Sequence, residues 1–462
     1  MKRYMFAAPF VVALMCLVVV LLLVFLVAGV YEYNLSAFLF LGDKRFSAEA
    51  ENPIPTGQVP LGLVYHLGVE GYHAIDYYLV AQDPLLLNPG LLGEYKKRNQ
   101  VFYARVFYPL LARFISETVE FSSSRLGSVG ALSSAELVAA EGATEKAIAP
   151  VQAEEKAAFA PEAKEAPHKP GLSFAQPDRL SLVMMAINLV SILVGAYFLA
   201  RFLRKRASNP ALALVFWLSG GVLFGLFLDT PIPLAAMFLV IGMCCHEGEK
   251  YALAFPFFAL SMLTHESMAL AVGALALGCL LSARGRPFLV YLISAAPAVL
   301  YRLYVVYALK ERISLQAILG VLNVARPDRS IWPKILSIIS EVNTQPLGPF
   351  NAAAFLLFFG FLVLAFLWSV VRVAQRGGIY PLMLLAITAF VMCASPNWWK
   401  SYIFAVETSA VVFLPLVLSF KEEEGAMGRI LAALTLLGSL VVLGRVMMLA
   451  GAGWKLLAGV VV

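Results

Sequence analysis

Charge is what this sequence has least of. Of its 462 residues only 14% are charged and 61% are hydrophobic, with a mean hydropathy of +0.81. A soluble domain needs a polar skin, and that ratio cannot supply one. Cysteine is scarce too. Cys16, Cys244, Cys245, Cys279 and Cys393 all lie inside apolar runs, which argues against a disulfide framework in exposed loops. Cys244 and Cys245 are adjacent and so lack metal-ligand spacing, and all five read as small core residues. The five histidines are scattered with no His-x-x-x-His spacing, so no metal site is assigned. A Walker loop and a nucleotide-binding fingerprint are both missing, which disfavours a sugar-nucleotide donor. The net charge of +6 sits in short loops between apolar runs, with no basic stripe interleaved with aromatics, so nucleic acid is not an expected partner.

What the chain does have is apolar runs of roughly 18 residues or more, the length a bilayer core demands. The reading is an all-α polytopic membrane protein with about eleven transmembrane helices. Met1-Lys2-Arg3 precedes an apolar stretch too long for a cleaved signal core, so residues 1–30 read as a signal-anchor helix with a cytoplasmic N-terminus. Residues 31–117 form a large first outer loop with interfacial helices. Residues 118–178, rich in Ala, Glu, Lys and Pro, form a low-complexity insert expected to be disordered. A multi-helix domain follows over 179–462, with a second outer loop at about 309–349. The cluster Arg201, Arg204, Lys205 and Arg206 stops the second helix on the inside, and Asp229-Thr230-Pro231 makes a tight outer turn. Two short helices over 251–282 meet at Thr264-His265-Glu266-Ser267, since a single helix would put Arg284 and Arg286 on the wrong side.

Chemistry is expected in the first outer loop and in the turns on its face. If 72–82 is helical, His73, Asp76 and Tyr77 share one side, where a carboxylate beside an imidazole suits a general base. A merely wet polar face is the competing reading. His265-Glu266 interrupts an apolar stretch, and an intramembrane ionisable pair is a candidate site; it is equally a hydrogen-bonded hinge between half-helices. Trp398-Trp399 fits an aromatic belt.

These segments resemble a group of bacterial multi-spanning proteins related to the GT-C glycosyltransferases. Residues 34–43, Asn34-Leu35-Ser36-Ala37 through Gly42-Asp43, match the group's Asn-x-(Ser/Thr)-Ala…Gly-Asp segment. Residues 71–84 align with Gly-Tyr-Asp-Gly-Gln-Phe-Tyr-Tyr-x-x-Ala-x-Asp-Pro, keeping Gly71, Tyr72, Tyr77, Tyr78, Ala81, Asp83 and Pro84. Arg105 to Ala112 matches Arg-x-x-Tyr-Pro-Leu-Leu-Ala. Weaker echoes are Asn188, the Asp229-Thr-Pro turn, and Leu263 to Ser267, where relatives carry Leu-Thr-(Lys/Arg)-Glu-Thr. One departure is large: His73 stands where the group has its acidic residue.

The resemblance implies a GT-C-like membrane glycosyltransferase of the bacterial inner membrane, multi-pass, taking sugar from a polyprenyl-phosphate donor to an envelope acceptor at the outer face. Asp76 would supply the catalytic carboxylate one helical turn after His73, which supports it. Asp43, Tyr77, Asp83, Arg105, Glu266, Arg302 and Lys400 are the donor- and substrate-binding candidates; Lys97 and Arg98 read as solvated. No cofactor is expected, although a divalent cation is compatible because some GT-C relatives use one. Expected partners are membrane lipids, the lipid-linked sugar donor and a glycan or lipid acceptor. The alternative is a non-catalytic subunit of an envelope-assembly complex, or a lipid or glycan carrier on the same scaffold, with envelope-assembly proteins as partners.

Overall fold

A computed structural model describes residues 2–30, 41–42, 65–66, 77–78, 80–81, 85, 105–118, 179–308, 348–394, 410–420, 430, 433–434 and 437. They are helical almost throughout, apart from short pairings such as the parallel one of Leu41–Gly42 with Tyr65–His66. In chain order the helices are α1 (Lys2–Val30), α2 (Arg179–Lys205), α3 (Leu212–Trp217), α4 (Gly220–Phe227), α5 (Ile232–Glu247), α6 (Tyr251–Thr264), α7 (Met268–Leu281), α8 (Gly285–Ser294), α9 (Ala296–Ala308), α10 (Gly348–Arg376), α11 (Ile379–Met392) and α12 (Ala410–Ser419). Tyr77, Tyr78, Val80 and Ala81 are also helical, as are residues 107–118.

Among the described residues, four stretches are long and apolar enough to cross a membrane: Ala8–Leu26, Arg179–Lys205, Gly285–Ala308 (α8 running into α9) and Phe355–Gln375. Ile232–Glu247, Tyr251–Thr264, Met268–Leu281 and Ile379–Met392 are apolar but shorter. The long helices leave broad apolar faces uncovered: Phe10, Leu14, Leu22 and Phe25 on α1, and Leu289, Leu292, Leu300 and Tyr307 on α8–α9, are all exposed. Helices hydrophobic on their exposed side as well as their packed side fit lipid as solvent, and the set is compatible with a multi-pass membrane protein.

The core is built by neighbours in sequence and by returns. α5 packs on α6, α2 packs on both α1 and α5, α10 packs on α11, and α11 contacts α7 and α12. Close approach of α2 to α3 depends on Gly195: a Cβ there would sit 2.0 Å from Cζ2 of the fully buried Trp217.

How the helices stop is encoded locally. α2, α4, α5 and α7 each end in the double closure of a Schellman motif, with a left-handed residue just past the end. In α4, Thr230 N–H donates to Gly225 O (2.7 Å) and Asp229 N–H to Leu226 O (3.2 Å). The left-handed residues are Ala207, Asp229, Glu249 and Ala283, with φ of 55°, 47°, 55° and 54°. None is glycine, so each carries a steric cost of roughly 1–2 kcal/mol. Ser219, with extended backbone (ψ 151°), separates α3 from α4. The half-helix pair expected over 251–282 is present: His265 is extended (φ −154°, ψ 122°) and α6 and α7 flank it.

Candidate functional site

Polar residues inside an apolar bundle must find each other, and here they do so at two opposite ends. At one end lie Tyr77, Arg105, Tyr108, the start of α2, the α4–α5 turn and the α6–α7 turn. At the other lie Arg206 after α2, Glu247 at the close of α5, Tyr380 at the start of α11, and Leu418–Phe420.

The first end holds the ionisable centre. Arg105 precedes the helix over 107–118 and grips Glu266 with two hydrogen bonds, Nε to Oε2 at 2.6 Å and Nη2 to Oε1 at 2.9 Å. Its third arm, Nη1, donates to the hydroxyl of Tyr77. The planar fork of arginine suits this arrangement, and two charge-assisted bonds offset much of the cost of burying both ions. Arg105, Glu266 and Arg302 are 2%, 8% and 6% exposed. Arg302, on α9, is close enough to interact electrostatically with both Glu266 and Arg105.

His265 completes the turn. Its Nδ1 accepts from the Ser267 backbone N–H (3.2 Å) and from the Ser267 hydroxyl (2.8 Å). A ring nitrogen that accepts a backbone N–H carries no proton, so the hydrogen of the neutral ring is on Nε2. That Nε2–H is buried and has no hydrogen-bond partner among the described residues.

A second cluster, built on Asp229, adjoins the first. Tyr108 meets Tyr77 edge to face, with centroids 6.2 Å apart. Its hydroxyl donates to Asp229 Oδ1 at 2.7 Å, and Asn188 Nδ2 donates to the same oxygen at 2.9 Å and to the Tyr108 hydroxyl at 3.0 Å. All three side chains are buried. Burial first, and then the Asp229 carboxylate, push the Tyr108 hydroxyl well above its ordinary pKa, so it stays a donor. Asn188 Oδ1 and Thr230 Oγ1 are buried beside it without partners among the described residues.

Of the residues nominated from sequence, the structure brings four together: Tyr77, Arg105, Glu266 and Arg302. Asp76, His73, Asp43, Asp83 and Lys400 lie outside the described residues, as does most of the segment 72–82. His265, nominated together with Glu266, lies in the same turn; missed as site members were Tyr108, Asn188 and Asp229. Asn188 and Asp229 carried a weak signal, each being a polar residue set in or beside a long apolar run. No family model matches the chain, and neither a curated protein nor a solved structure matches it.

Proposed function

We propose that this chain is a GT-C-like membrane glycosyltransferase that moves a sugar from a polyprenyl-phosphate donor to an envelope acceptor at the outer face of the inner membrane. One observation carries the reading. Tyr77, Arg105, Glu266 and Arg302, far apart in sequence, meet in one buried ionisable centre at the end of the bundle that the charge pattern assigns to the outer face. Two buried guanidinium groups and an imidazole N–H with no partner among the described residues suit the phosphoryl group that departs from the donor, where negative charge grows as the sugar leaves. In the reaction so proposed, Asp76 takes the proton of the acceptor hydroxyl as its oxygen attacks the anomeric carbon. The bond from that carbon to the phosphate oxygen breaks, and the electron pair stays on the phosphate. Arg105, held rigid by Glu266 and Tyr77, then acts by orientation and Arg302 by charge.

His73, where the resembling group has its acidic residue, favours a second reading: a non-catalytic subunit or carrier that keeps the donor site but not the base. Proteoliposomes supplied with radiolabelled polyprenyl-phosphate sugar separate the two. Transfer lost in Asp76→Asn and in Arg302→Gln supports the transferase. Donor retention that depends on Arg302 but not on Asp76, without turnover, supports the carrier. A folded preparation that neither binds nor transfers sinks both.

A further inference from the structure

The opposite end of the bundle has a cavity that the proposed reaction does not use. Arg206, Glu247, Arg372, Gly377, Gly378 and Tyr380 are among the residues that line it, and its volume is about 270 Å³. That is below the usual range for whole drug-sized ligands and fits a headgroup. We propose that it binds the phosphoryl headgroup of an anionic lipid from the cytoplasmic leaflet.

Arg206 is held in place by its aromatic neighbours. Its guanidinium lies 4.2 Å from the Tyr380 ring centroid and 5.8 Å from that of Phe202, and it makes one long hydrogen bond, Nη1 to Leu418 O at 3.4 Å. Tyr380 is itself fixed by donating to Glu247 Oε2 at 3.0 Å. The cation is therefore preorganised against an aromatic wall, and among the described residues most of its five N–H donors have no hydrogen-bond partner. Among the described residues no carboxylate comes within ion-pair distance of it. Arg372 brings a second guanidinium to the same cavity, stacked on Trp368 at 5.4 Å.

The cavity floor is bare backbone. Gly377 and Gly378 both have positive φ, 61° and 107°, and a Cβ on Gly377 would meet nothing within 4 Å. α11 starts on this floor with no side chain capping it, which leaves the N–H groups of Ile379 and Tyr380 without intrahelical partners. Arginine forks beside the first N–H groups of a helix form a phosphate-binding chemistry.

Position selects a lipid over a free anion. By the charge pattern this end faces the cytoplasm, where the leaflet is anionic and basic pockets between helices take lipid headgroups. From the pocket, α10 carries an exposed apolar strip, Val371, Leu367 and Leu364, at helical spacing, along which acyl chains can lie. The proposal does not depend on sugar transfer.

The test is native mass spectrometry of the full chain released from nanodiscs of mixed phosphatidylglycerol and phosphatidylcholine. Wild type is expected to retain phosphatidylglycerol preferentially. Arg206→Gln should lower that retention by on the order of tenfold, and Arg206→Lys should recover only part, since lysine keeps the charge but not the fork. Because Arg206 also covers Tyr380, a second pair guards against misfolding: Gly377→Asp against Gly377→Asn. Both fill the same open space in a conformation each tolerates, and only the carboxylate should expel the lipid. Equal retention of the two lipids by wild type, or lipid retention identical in Gly377→Asp and Gly377→Asn, would overturn the proposal. So would displacement of the lipid by millimolar inorganic phosphate, which would identify a soluble anion as the ligand.

Discussion

Arg105 and Glu266 are worth more as a pair than the contacts alone suggest, because neither can be removed singly without stranding the other in a nonpolar surround. Arg105→Gln or Glu266→Gln is expected to destabilise the protein by about 3–5 kcal/mol, whereas Arg105→Met with Glu266→Met should recover much of that loss. Thermal unfolding in detergent reads the stability. If the site binds donor, the double variant recovers folding without recovering donor retention. Recovery of both would reduce the pair to a structural strut. The Tyr108–Asn188–Asp229 cluster has a different signature. Tyr108→Phe removes one of two donors to a buried carboxylate oxygen and should cost about 1–3 kcal/mol. Combined with Asn188→Ala, its effect should depart from additivity, since both act on one oxygen. Glu266 was legible in the sequence because it interrupts an apolar run, where an ionisable group is costly. Tyr108 was not: a tyrosine in Phe107-Tyr108-Pro109 looks like any interfacial aromatic until Asp229, 121 residues on, is seen beside it.

Helix ends were more legible than helix interiors. Basic clusters at 201–206 and 284–286, and the polar break at 264–267, located three terminations because a bilayer penalises charge strongly and locally. The interruption at Ser219 left no such trace. Serine is tolerated within apolar helices, so its residue type does not mark the break, beside which Trp217 lies over Gly195. Gly195→Ala should force that indole away and destabilise the protein by about 1–3 kcal/mol, visible as a lowered unfolding temperature. The left-handed closures make the reverse prediction. Ala283→Gly relieves the strain just past α7 and should raise stability by about 0.5–1 kcal/mol. A fall in the unfolding temperature would show that the strain at this closure is not what limits it.

For the molecule as a whole, contacts at two opposite ends imply that successive crossings alternate in direction, with α3–α4 and α8–α9 each counting as one crossing. Glu249, Gly285 and Gly377 then belong to one side and Arg113 to the other. Single cysteines placed at these positions, on a background lacking the five native ones, should divide accordingly when labelled by an impermeant maleimide in sealed vesicles. Labelling of all four from one side would refute the alternating arrangement. The Arg105–Glu266 pair adds a consequence in time. The two residues are 161 positions apart, so at 5–20 residues per second the ribosome finishes the arginine on the order of ten seconds before its partner exists. Throughout that interval Arg105 must stay hydrated at the membrane surface, and the first loop cannot seat itself. Assembly of this end is thereby placed late in biogenesis, after the α6–α7 hairpin has been inserted.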